Sequence, residues 1–433
     1  MAKTTYRNPW AWVPSLYFAQ GIPYVIVMTV SVVMYKRLGI SNEDIAFYTS
    51  WLYLPWVIKP LWSPAVDLLK TKRFWTVTMQ LFVGAGLACV AFVLPLPSFF
   101  QYTLAVFWLM AFASATHDIA ADGFYILSLT EKDQSLFVGI RSTFFRIAMI
   151  SGQGLLVMLA GFLETNNLLG SEGNIPLAWS ITFFILAGLF LSFFLYHKFV
   201  LPYPVVDKPV GGGSSSFLKE FLLTFVSFFK KEKIGYALAF LLLYRFAEAQ
   251  LVKLAQPFML DPREAGGLAL STTDIGFIYG TVGVIALTIG GILGGIAASR
   301  KGLKYWLWWM VLAINIPDLV YVYLSFVQPD SFLFINIAVA FEQFGYGFGF
   351  AAYLLFMIHL SQGKHSTAHY AICTGFMALG MMLPGMFSGW LQETIGYQNF
   401  FVWVCLATIP GFIVAKLVHI DPEFGKKSEK PKE

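Results

Sequence analysis

The chain has 433 residues, 58% of them hydrophobic and only 12% charged, whereas a soluble chain of this length carries about twice that share of charge. Apolar runs long enough to cross roughly 30 Å of hydrocarbon recur throughout. This excludes a soluble fold and reads as an all-α polytopic membrane protein. The formal charge of +5 follows from loop topology and implies no nucleic-acid partner.

Twelve segments are expected, at about 10–35, 45–66, 74–94, 101–129, 136–163, 177–200, 234–260, 273–298, 303–327, 332–360, 367–391 and 397–418. The first is full length and lacks the short apolar region and A-x-A-like site of a cleaved leader, so it reads as a spanning helix. With the N-terminus inside, the inner side receives Lys3, Arg7, Lys70, Lys72, Arg73, Lys132, Arg141, the basic residues of 201–233, Arg300, Lys301, Lys304, Lys364 and the C-terminal lysines. The outer side receives Lys36, Arg37 and Arg263. That bias predicts both termini in the cytoplasm.

Between the sixth and seventh segments, 201–233 holds a flexible GGGSSS run at 211–216. A stretch mixing phenylalanines and lysines follows at 217–233 and predicts an amphipathic helix on the inner leaflet. The expected division is an N-terminal half at 1–200, a linker at 201–233, a C-terminal half at 234–420 and a tail at 421–433. An internal repeat supports two halves. LGISNEDIAF at 38–47 recurs as LALSTTDIGF at 268–277, aligning Ser41 with Ser271 and Asp44 with Asp274. A helix cap explains each copy locally, and the common offset points to duplication. Two parallel six-helix halves resemble the organisation of the major facilitator superfamily. SPAVDLLKTKR at 63–73 and GIAASRK at 295–301 are similar to that superfamily's G-x-x-x-D-R-x-G-R-K loop, with Ser63 in place of the usual glycine and Ser299 in place of the aspartate. The resemblance implies gating roles for Asp67, Arg73 and Arg300.

Ten ionisable side chains fall within spans and away from their ends: Lys59, His117, Asp118, Asp122, Arg146, Arg245, Glu248, Lys253, Asp318 and Glu342. Charge at bilayer depth is costly, so such groups usually face a bundle interior or an aqueous path. Asp118 and Asp122 lie one turn apart on one face of the fourth segment, a plausible proton-handling pair that titrates as a unit. Counting depth at about 1.5 Å per residue places Asp118 level with Arg146 and Asp122 level with Lys59. This predicts an Asp118/Asp122–Lys59/Arg146 network, with a permanent structural salt bridge as the alternative. Glu342 occupies the equivalent place in the second half, with Gln343 beside it and Glu248 one turn from Arg245. Proton coupling is therefore expected of Asp118, Asp122, Glu342 and Glu248. Substrate contacts are expected of Lys59, Arg146, Arg245, Tyr17, Gln20, Tyr24 and Gln343.

Lys253 is expected to snorkel outward, and Asp318 to mark a kink after Pro317. The glycines at 345, 347 and 349 read as close helix packing. His365 and His369, four apart, could hold zinc but lack further ligands nearby and are expected at the interface. Cys89, Cys373 and Cys405 read as small core residues. No metal or cofactor is expected. With no nucleotide-binding loop or nucleophile arrangement, neither an enzyme nor a primary pump is indicated.

At YFAQGIPY (17–24), LPWVIKPLWSPAVD (54–67), HDIAADGFY (117–125), FRIAMISG (145–152), EQFGYGFGFAAYLLF (342–356) and SGWLQETIGYQNFF (388–401) the chain resembles AmpG-type anhydromuropeptide permeases and the related acetyl-CoA transporters. The resemblance implies a monomeric, proton-driven secondary transporter in the bacterial inner membrane. Its cargo would be N-acetylglucosamine–anhydro-N-acetylmuramic acid, with or without peptide. Relatives that carry acyl-CoA, siderophores or simpler amino sugars leave those substrates as alternatives. A receptor or scaffold that transports nothing is the alternative of another class.

Overall fold

A computed structural model describes residues 7–167, 170–209, 214–363 and 365–426, without the side chains of Asp67 and of 214–221. Lys3, the glycines at 211–213, Lys364, the lysines after Lys426 and the side chains of Asp67 and Lys219 thus lie outside the described residues.

Every regular element among the described residues is a helix. Nine are long and apolar enough to cross a membrane, counting the 52-residue stretch Ser366–Leu417 as one. The other three expected segments follow from breaks that local chemistry explains. The second segment divides into Asn42–Trp51 and Leu54–Leu69, with Pro55 opening the second piece, where its missing N–H costs nothing. The seventh divides into Ile234–Leu243 and Phe246–Leu260 around Tyr244 and Arg245. Segments eleven and twelve run together as Ser366–Leu406 except at Gly396, whose φ of 76° is open to glycine without strain. The ninth segment also breaks, at the tight turn Ile316–Asp318, where Pro317 cannot continue the ladder. In the first, a π-helical turn at Ile26–Val30 follows Pro23.

Hydroxyl caps start several helices. Thr71 accepts from Phe74 N (3.1 Å) and Thr130 from Asp133 N (3.2 Å). Both repeat copies are capped as expected: Asp44 N donates to Ser41 Oγ (3.0 Å), and Ser271 and Asp274 form a reciprocal capping box.

The chain forms two compact units, one of Met1–Ile40, Trp51–Gly212 and Ser271–Thr281, the other of Ser41–Ser50, Gly213–Leu270 and Val282–Glu433. Each repeat copy thus starts a helix that packs in the unit built mainly from the other part of the sequence. In the first unit Thr272 Oγ1 donates to Glu164 Oε2 (2.8 Å), and Glu164 also takes Arg37 NH2 (2.9 Å) and Trp179 Nε1 (3.1 Å). In the second, Asn42 Nδ2 donates to Gln392 Oε1 (2.6 Å) and Tyr397 OH (2.8 Å). The glycine-rich run around 345–349 does what small residues allow. A Cβ on Gly347 would sit 2.0 Å from Leu287 O, so the helix backbones are in contact there.

A helix at Ser214–Phe229 overlaps the stretch at 217–233. It buries Phe228 and leaves Leu222, Leu223 and Val226 exposed. His369 is not interfacial as expected: it is buried, with Ser227 Oγ 2.9 Å from Nε2 and the Phe228 ring beside it. The helix Ser214–Phe229 covers it. Cys373 is a core residue, but Cys89 is exposed and Cys405 half-buried. In a helix with an apolar outer face, apolar character alone does not report which way a side chain points.

Candidate functional site

The first unit gathers its charges around the helix Phe99–Ser128. Asp118 accepts from Lys59 Nζ and from Gln20 Nε2. One turn on, Asp122 Oδ1 accepts from Tyr17 OH (3.0 Å) and pairs with Arg141 NH1 (3.5 Å). Arg141 NH1 also donates to the Tyr17 hydroxyl (3.1 Å), and its guanidinium lies 5.0 Å from the ring centres of Tyr17 and of Tyr125. The predicted network thus differs in both partners: Lys59 serves Asp118 rather than Asp122, and the cation at Asp122 is Arg141, not Arg146. The helix begins at Glu131 rather than near 136, which puts Arg141 well inside a span instead of in the inner loop. Arg146 is half-buried further along the same helix. Tyr24 stands edge-on to Trp56, ring centres 5.4 Å apart.

A second polar chain runs from Ser15 to His117, on the same helix as the aspartates. Ser15 Oγ lies 2.9 Å from His197 Nε2, His197 Nδ1 2.9 Å from Gln80 Oε1, and Gln80 Nε2 3.0 Å from His117 Nε2. His117, Gln80 and His197 are buried. Gln80 and His197 escaped the sequence reading because a single glutamine and a histidine near a helix end carry no pattern.

The second unit holds a separate cluster. One carboxylate oxygen each from Glu248, Asp318 and Glu342 lie within 4.8 Å of one another, and all three residues are buried. Glu342 Oε2 accepts from Gln343 Nε2 (3.0 Å) and from Tyr321 OH (3.5 Å). Arg245 donates to Tyr346 OH and stacks over the Tyr346 and Phe350 rings, at 5.2 and 4.7 Å from their centres. Asp318, read from sequence only as a kink marker, is the third acid. Lys253 does not snorkel: it is buried and donates to Thr49 Oγ1 at 2.8 Å. A hydroxyl within reach on another helix gives it a partner inside the protein.

Of the expected gating residues, Arg73 is tied to the chain at 198–207. Its NH2 donates to Lys198 O (2.5 Å), and its guanidinium lies 3.7 Å from the Tyr203 ring centre. Asp207 caps the same helix by accepting from the backbone N–H of Lys72 (2.7 Å) and Arg73 (2.9 Å). Arg300 is exposed in the last turn of its helix.

Ion pairs inside apolar helices that are interrupted by prolines and π-helical turns suit the passage of a polar solute rather than bond-breaking chemistry. Comparison with known proteins agrees. The chain is 26% identical over 408 residues to the putative transporter AmpG 4 of Rickettsia conorii, covering 91% of this chain and 92% of that one. It is 23% identical over 402 residues to the anhydromuropeptide permease of Escherichia coli K12, covering 92% and 77%. Among solved structures it is similar to the nucleoside transporter NupG (TM-score 0.68, 16% identity, covering 94% of this chain and 98% of that one). It is also similar to a D-xylose-proton symporter (TM-score 0.70, 10% identity, covering 96% and 98%). The model of the Major Facilitator Superfamily matches residues 15–368. The chain is a multi-pass membrane transporter, not an enzyme, and belongs to the Major Facilitator Superfamily.

Proposed function

We propose that this protein is a proton-coupled importer of anhydromuropeptides, working by alternating access in a bacterial inner membrane with both termini in the cytoplasm. The observation that carries the reading is the paired arrangement on one helix face: Asp118 with Lys59 and Gln20, and Asp122 with Arg141 and Tyr17. Protonating either aspartate removes its negative charge and frees a cation for an anionic group such as a muramyl lactate or peptide carboxylate. Return of the anion displaces it. That exchange couples proton occupancy to substrate occupancy at the same cations. The relative named as an anhydromuropeptide permease supports this cargo. Gln20, Tyr17 and Tyr24 supply hydrogen bonds and a stacking face of the kind sugar rings use.

Uptake of labelled disaccharide-peptide by proteoliposomes under an imposed pH gradient tests the proposal. The wild type accumulates label. Asp122→Asn loses gradient-driven accumulation while keeping exchange of label across vesicles loaded with unlabelled substrate. Equal gradient-driven uptake by both proteins would remove Asp122 from coupling. Accumulation of acyl-CoA, siderophore or free amino sugar in preference to the disaccharide-peptide would reassign the cargo.

A further inference from the structure

We propose that Glu248, Asp318 and Glu342 form a binding site for a hard, oxygen-seeking metal cation, Na⁺ or Ca²⁺, inside the second unit. The three acids come from three different spans. Glu248 lies in the first turn of Phe246–Leu260, just past the break at Arg245. Asp318 closes the turn Ile316–Asp318, and Glu342 stands in the middle of Phe332–Ser361. They are 2%, 1% and 1% exposed, so water does not solvate them.

Two independent observations favour a metal ion over protons alone. First, one oxygen from each acid converges within 4.8 Å. A cation with metal–oxygen bonds of roughly 2.3–2.6 Å holds its ligands up to about 5 Å apart. Second, both oxygens of Glu248 and both of Asp318 are buried without any hydrogen-bond partner. Carboxyl groups that share a proton close to about 2.5–2.7 Å, and neither Glu248 nor Asp318 makes such a bond. Three converging carboxylate oxygens, two of them from groups that make no hydrogen bond, are an incomplete coordination shell. Glu342 is oriented by Gln343 and Tyr321, the outer support that metal ligands typically have. Arg245, three residues before Glu248, brings one positive charge against three negative ones, and a bound cation offsets the excess.

The inference does not rest on the identity of the cargo, and its test involves no transport. The purified full chain, in detergent at constant ionic strength set by choline chloride, is titrated calorimetrically with NaCl and separately with CaCl₂. Saturable binding of one ion is expected, and the arm that responds identifies which. Asp318→Asn and Glu342→Gln should each bind roughly tenfold more weakly or worse, since even outer-shell losses cost that much. Asp330→Asn, at an exposed aspartate paired with Arg263, should bind as the wild type does. No saturable response of the wild type to either ion would overturn the proposal. So would wild-type affinity in folded Asp318→Asn and Glu342→Gln proteins.

Discussion

The Lys59–Asp118 pair lends itself to a quantitative test by a double-mutant cycle of Lys59→Ala and Asp118→Asn. Exposed ion pairs contribute about 0.2–1 kcal/mol, and breaking a fully buried one costs about 3–5 kcal/mol. Here the two side chains are 22% and 25% exposed, between those limits. Gln20 remains on Asp118 when the lysine is cut back, which softens that single loss. Asp118→Asn instead removes the carboxylate that Lys59 bonds and leaves its ammonium, in an apolar helix, with only the more distant Asp122 as a counter-charge. The coupling energy should therefore fall at about 1–3 kcal/mol, with the double variant more stable than the two single losses predict. Denaturant unfolding of the four proteins in one detergent, followed by tryptophan fluorescence, measures it. Additivity within about 0.5 kcal/mol would refute the pairing as an energetic unit, and Asp118 would then owe its place to function alone.

Two further substitutions probe packing and the Glu164 cluster. A Cβ on Gly280 would lie 2.1 Å from Gln153 O and 2.4 Å from Gly154 N, whereas one on Gly295 meets nothing within 4 Å. Gly280→Ala should thus lower folded yield in the membrane by several-fold and Gly295→Ala should not, as fluorescence-detected size exclusion would show; equal yields would mean that the helices at Gly280 can separate freely. Glu164→Gln leaves Arg37, which is 31% exposed, without its ionic partner, and should cost about 1–3 kcal/mol. The same unfolding assay checks this, and Glu164→Ala should cost more because the Trp179 and Thr272 donors also lose their acceptor.

Much of the molecule was legible before any coordinates. Apolar runs of spanning length set the fold class, because a bilayer admits only elements that satisfy their own backbone. The repeat at 38–47 and 268–277 carried its caps in plain sight, since a cap is a local bond between a side chain and the next turn. Aspartates four residues apart declared themselves by cost and by helical period. Depth counting brought Lys59 level with Asp122 and Arg146 level with Asp118, but a count along an axis carries no rotation about it. Arg141 therefore displaced Arg146, and Lys59 bonded Asp118 rather than Asp122.

Composition and period, then, sufficed for the apolar spans, the kink after Pro317 and the acid pair, all of which depend on neighbours within a turn or two. Only the tertiary structure could decide that Asp318 joins Glu248 and Glu342, that Gln80 bridges His117 and His197, and that each repeat copy packs in the unit opposite its sequence half. Those facts depend on how helices face one another, and facing is set by packing between residues that lie far apart along the chain.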